Sequence, residues 1–167
     1  MTTLPSTALI GPAERVMTEI EAWRPLFERG TLRPQVSGRA VLEPDERFAV
    51  DLGGVRAVGL GNPAAGGVLH ATDRRVVVCD GGSHPVREWC LTELASVSAL
   101  GNWGGLAIVH ADGDTELVVA AGPELPTWED AAGWLKVEAA FATASGRLSQ
   151  WVAELPDRLM LAGAVYA

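Results

Sequence analysis

The 167-residue sequence predicts an α+β fold: one helix, then a meander of seven to eight antiparallel strands, then one long helix. Three observations carry this prediction. Apolar residues step by three and four near each end of the chain. Between these stretches, short runs of Val, Leu, Ile and Ala are divided by Gly, Asp, Asn and Pro at intervals of roughly eight to twelve residues. No internal repeat or low-complexity linker interrupts the pattern. The chain therefore divides into an N-terminal segment and helix over 1–30, a strand meander over 31–122, and a C-terminal helix with a short tail over 123–167, all within one globular domain.

In the first helix, Val16, Ile20, Trp23 and Phe27 fall at i, i+4, i+7 and i+11. Gly11-Pro12 stands before them and Gly30 after them, as a helix entry and a glycine stop require, so the helix is expected from about Pro12 to Arg29. Glu14, Glu19, Glu21 and Arg24 occupy its opposite, solvent-facing side. From about Val36 to Ala121 the turn signals define the strands. Leu52-Gly53-Gly54 divides ERFAVD from VRAVGL, GNPAAGG makes a longer break, and DGGSHP separates RRVVVC from VREWCL. Within GGVLHATDRRVVVCDGG, Thr72 and Asp73 are residues that bond their own backbone in turns, and Arg74 opens the outgoing strand with Arg75. In LAIVHADGDTELVVA, Asp112-Gly113 is the two-residue signal of a type I′ hairpin.

After Gly122-Pro123, Trp134, Val137, Phe141, Ala144, Leu148, Trp151 or Val152, and Leu155 step by three and four, which predicts a single long helix. Thr127 can cap it, Glu129 and Asp130 bring negative charge to its first turn, and Pro156 is expected to end it. Some 28 residues at about 1.5 Å each reach roughly 40 Å, more than a small sheet covers. Trp23, Trp128, Trp134 and Trp151 fall on the two helices, and most belong to the apolar stripes. If the helices pack together beyond the sheet, Trp23, Phe27, Trp134 and Trp151 form a ridge suited to a partner or a second copy. Trp103, between Asn102 and two glycines, falls in an exposed turn, where its indole either serves as the contact candidate outside the helices or folds back onto the sheet.

The formal charge of −8 argues against broad contact with nucleic-acid phosphates and disfavours anionic membrane surfaces, since both reward clustered cations. Two cysteines are too few for a disulfide framework, and MTTLPSTALIGP lacks the charged and apolar regions of a signal peptide, so a cytoplasmic location is expected. The apolar ending LMLAGAVYA is too short to span a bilayer and reads as a packed or partner-facing tail.

Chemistry-bearing residues are sparse. His70 with Asp73 has the composition of an acid–base pair, but a hairpin corner accounts for both better. Cys79, His84, Cys90 and His110 have the right donor types for zinc, yet no close paired spacing, and both cysteines read as small core residues in strands. No metal and no cofactor are expected. There is no serine nucleophile elbow, and no helical pattern follows GLGNPAAGG as a phosphate-cradling loop requires.

LEPDER (Leu42 to Arg47), GGVLHATDRRVVV (Gly66 to Val78), REWCLTELASVSAL (Arg87 to Leu100) and the hairpin Leu106 to Val119 resemble the strand signatures of the pleckstrin-homology-like superfold, in its bacterial and GRAM-like branches. The resemblance covers roughly residues 38 to 155. Leu94 stands where isoleucine is usual, and the N-terminal helix lies outside the module. The resemblance implies a strongly bent sheet with its C-terminal helix plugging one end, and a binding module rather than an enzyme. Members bind phosphoinositides, other lipids, peptides or proteins. Lipid binding in the family draws on a basic loop between early strands, whereas DLGG and GNPAAGG carry no cation. A protein-interaction or self-association module is therefore expected, with an acidic chaperone or adaptor, and a lipid or small-molecule carrier, as the rival readings.

Overall fold

A computed structural model describes residues 17–18, 20–22, 24–25, 46, 48–58, 67–79, 85–101, 103–121 and 128–166. Seven antiparallel strands form one bent sheet: β1 (Phe48–Ala57), β2 (Gly67–Thr72), β3 (Arg75–Cys79), β4 (Pro85–Cys90), β5 (Leu94–Ala99), β6 (Gly105–His110) and β7 (Thr115–Ala120). Two helices follow, α1 (Trp128–Ala144) and α2 (Leu148–Tyr166). The strand order is β4-β3-β2-β1-β7-β6-β5, so β4 and β5 are the two edges although they are consecutive in the chain. A 3-10 turn, Leu91–Glu93, joins them.

The bend is built into β1. Phe48 through Val55 pair with β2, while Val55 through Ala57 pair with β7, and the register shifts between Gly53 and Val55. Gly54 has φ +68°, a left-handed conformation that glycine adopts without steric cost. Leu52-Gly53-Gly54 is thus not the hairpin expected from its composition. It is a bulge inside a continuous strand, where glycine lets the strand turn from one neighbour to the other.

Alternation along the strands directs Leu69, Ala71, Val76, Val78, Trp89, Val97, Leu106, Ile108 and Val118 into one core, which α1 fills with Leu135, Val137, Ala139 and Ala140. α1 packs against β1, β2 and β5. Val77 and Cys79 point from β3 to the opposite face, where both are also buried. Of the expected helix from Pro12 to Arg29, the described residues 17–18, 20–22 and 24–25 are helical, and Ile20 reaches the core. Trp23, Phe27, Thr127, His84 and residues 61–66 and 80–84 of the GNPAAGG and DGGSHP breaks lie outside the described residues.

Two further expectations are corrected. The β6–β7 connection is not a two-residue type I′ turn. His110 N donates to Asp114 O at 2.8 Å and Gly113 N to His110 O at 2.9 Å, enclosing Ala111-Asp112-Gly113. Of these only Gly113 has positive φ, +99°, and the Asp112 carboxylate accepts Asp114 N. A right-handed turn relaxed by one left-handed glycine satisfies the twist that a type I′ turn would need two such residues to meet.

The long C-terminal helix is two helices. Arg147 N donates to Ala142 O at 2.7 Å and Gly146 N to Thr143 O at 3.1 Å, with Gly146 at φ +72°, the paired bonds of a Schellman stop. α2 then runs through Pro156, which does not end it, and continues along the tail as far as Tyr166.

Candidate functional site

The open edge of β5 faces a groove whose other wall is the helix pair. Leu100 N donates to Gly105 O at 2.9 Å, which fixes the alternation of the β5–β6 ladder. Ser98 and Ser96 then bond across to β6, while the backbone N–H and C=O groups of Val97 and Ala99 turn toward the open side. The Ala99 N–H is met there by Oε2 of Glu138 on α1.

Glu138 is 3% exposed, deep for a carboxylate, and it is held by three donors from two elements. Its Oε1 accepts Trp151 Nε1 at 2.8 Å and an Arg158 guanidinium N–H, both from α2. A buried ion is tolerated when its charge and lone pairs are met in this way. The same carboxylate therefore ties the end of the β5 edge to α2.

Toward the other end, Phe141 and Ala142 form the floor, and the Arg147 guanidinium lies 6.0 Å above the Phe141 ring. Gln150 Nε2 donates to Glu154 Oε1 at 3.1 Å. The groove, of about 310 Å³, is lined by Ala95 to Ser98 on one side and by these helical residues on the other.

A second polar cluster closes the interior between the two halves of the sheet. Glu116 on β7 accepts Arg87 Nε at 2.9 Å and Trp89 Nε1 at 2.8 Å from β4, together with Nε2 of His110 from β6. Arg87 also lies 5.2 Å over the Trp89 ring. The Arg87 hydrogen bonds above all, with those from Trp89 and His110, outweigh the upward push of burial and hold the Glu116 carboxyl down to about 2. A third cluster anchors the β2–β3 corner. Thr72 Oγ1 accepts Arg74 N and Arg75 N, each at 3.0 Å, and donates to Glu46 Oε2 at 2.7 Å. Glu46 in turn receives Arg75 Nε and Nη2.

Among the aromatic contact candidates, Trp151 alone of the described ones lines the groove, half-buried. Trp134 is 4% exposed in the core. Trp103 does not stand out from its turn. At φ +58° its backbone is left-handed, and the indole is 4% exposed, folded back onto the sheet. His70 is wholly buried on β2 and Asp73 is exposed at the corner. Cys79 is buried, but Cys90, expected in the core, is exposed at the end of edge strand β4. Among the described residues no group of three or more His, Cys, Asp or Glu side chains could hold a metal ion. Sequence reasoning missed Glu138 and Arg147. Their signals were an acid inside the apolar run VEAAF and an arginine directly after Ser145-Gly146.

No protein-family model matches the chain, and comparison with curated proteins finds no match.

Proposed function

We propose that the protein is a non-catalytic interaction module of pleckstrin-homology-like fold that receives an extended segment of a partner protein along the open edge of β5. The bent antiparallel sheet and the C-terminal helix packed against it support the fold half of this reading. The observation that carries the functional half is the direction of the Val97 backbone groups, which face a groove instead of another strand. An added strand gains ladder hydrogen bonds there, and the groove side chains supply selectivity.

The groove volume lies at the low end of the roughly 300–1,000 Å³ typical of small-molecule sites, which favours a few peptide side chains over a carried lipid. The formal charge of −8 on every copy opposes self-association and favours a different partner. The His110–Glu116 pair supports a structural role over a catalytic one, because a carboxylate held near 2 is a poor proton acceptor at neutral pH.

The test is to select peptides from a displayed random library against the full chain and titrate them into 15N-labelled protein. The expected result is amide shifts at Ala95 to Ser98, Phe141, Gln150 and Trp151. A selection that returns no binder, or binders that shift only residues elsewhere, overturns the reading.

A further inference from the structure

We infer that the segment received by this groove is bipolar: a carboxylate that meets Arg147, a cation that meets Glu154, and an apolar side chain between them over Phe141 and Trp151. This rests on the groove reading above and specifies its partner. α2 presents Trp151, Glu154 and Arg158 at i, i+3 and i+7, a single stripe on one side of the helix, and Arg147, whose carbonyl accepts Trp151 N at 2.9 Å, stands immediately before its first turn. All four line the groove.

The charges on that stripe are not equivalent. Arg158 is paired with Glu138, so these two cancel inside the wall. Arg147 and Glu154 are both exposed, and their polar contacts leave their charges in place. Arg147 lies over an aromatic ring, and Glu154 accepts a hydrogen bond from a neutral amide. An occupant therefore meets a positive end, an aromatic middle and a negative end.

The spacing sets the pattern of the occupant. Arg147 caps the start of α2, and seven steps at the helical rise of 1.5 Å place Glu154 about 10 Å further along the axis. An extended chain rises about 3.3 Å per residue and shows every second side chain on one face, so same-face residues lie about 7 or 13 Å apart. Acid and base two or four positions apart thus reach both charges. At four positions the residue midway between them shares their face and falls over Trp151. Antiparallel and parallel docking both satisfy this, since reversing the peptide exchanges only which end carries the acid.

The probes are heptapeptides of threonine with a central leucine, in three compositions. The residues two places to either side of the leucine are one glutamate and one lysine, two glutamates, or two lysines. The mixed composition is made in both charge orders and the tighter of the two is compared, so the readout does not depend on strand direction. Affinities are measured by calorimetry for the full chain and for Arg147→Glu and Glu154→Arg, both at exposed positions.

The wild-type chain should bind the mixed peptide about two- to fivefold more tightly than either like-charged one, as expected for exposed charge pairs. Arg147→Glu should move the preference to the two-lysine peptide, and Glu154→Arg to the two-glutamate peptide. Equal binding of all three compositions by all three proteins overturns the bipolar inference and leaves the groove reading standing. Binding of none of the peptides to any of the proteins overturns both.

Discussion

Two acids show how a carboxylate earns a place in an apolar setting. Glu138 is enclosed by the β5 edge and α2, and Glu116 by β4 and β6, each surrounded by donors from elements far apart in sequence. Glu116 bonds the sheet to itself where no ladder does, because β4 and β7 are not neighbours in the strand order. Glu116→Gln should therefore cost about 2 kcal/mol, the loss of charge-assisted hydrogen bonds, measured by denaturant unfolding at neutral pH. The pH dependence has a definite sign. A carboxyl lowered from 4.5 to about 2 by folding contributes stability fully above about pH 4.5, and that contribution is lost as pH falls toward 2. The variant should show a flatter acid limb over that window, and an unchanged limb would contradict the assignment. The sequence marked none of this, because Arg87, Trp89, His110 and Glu116 meet only when two strand pairs fold over each other. For a related reason the sequence leaves two placements of the Trp103 indole open, and the structure takes the one folded back onto the sheet. Glycine neighbours predict a turn, but the direction of the indole depends on a left-handed backbone that composition does not announce.

At the scale of elements, the strands and the C-terminal helical region were legible because their periodicities are local, whereas of the expected N-terminal helix only a short helical turn is described. GVLHAT and RVVVC alternate or run apolar between turn residues, and each became a strand. The boundaries failed where one glycine had two structural uses. Gly54 bends a strand that it was expected to end, and Gly146 ends a helix that it was expected to join. The second error arose because Ala144 and Leu148 keep the spacing of four across the stop, so the apolar stripe passes through Ser145-Gly146-Arg147 uninterrupted. The groove was illegible for the same reason, since one continuous helix has no second wall. Gly146→Ala should destabilise the protein by about 1 kcal/mol. A Cβ there meets nothing within 4 Å, so the cost is confined to the left-handed backbone. Thermal unfolding provides the measurement, and an unaltered midpoint would mean that the stop does not depend on that conformation.

For the molecule as a whole, net charge and shape act together. A chain of this acidity should ignore anionic membranes. Sedimentation with phosphatidylserine vesicles should leave it in the supernatant at low ionic strength, where attraction to a basic patch would be strongest. Among the described residues no helix is long and apolar enough to cross a membrane. The shared strand β1 also bears on how the chain reaches this state. Its pairing of Val55 with Ala120 joins the first and last strands of the chain, neighbours in the sheet but separated by five strands in sequence. The first four strands can assemble as successive hairpins, each closing a short loop, but β1 keeps one flank exposed until β7 has been synthesised and docked. Such distant partners make the last docking step slow relative to the hairpins, since the entropy of a long loop must be lost before its contacts form. During that interval the flank of β1 is where a nascent chain is most open to pairing with the wrong strand.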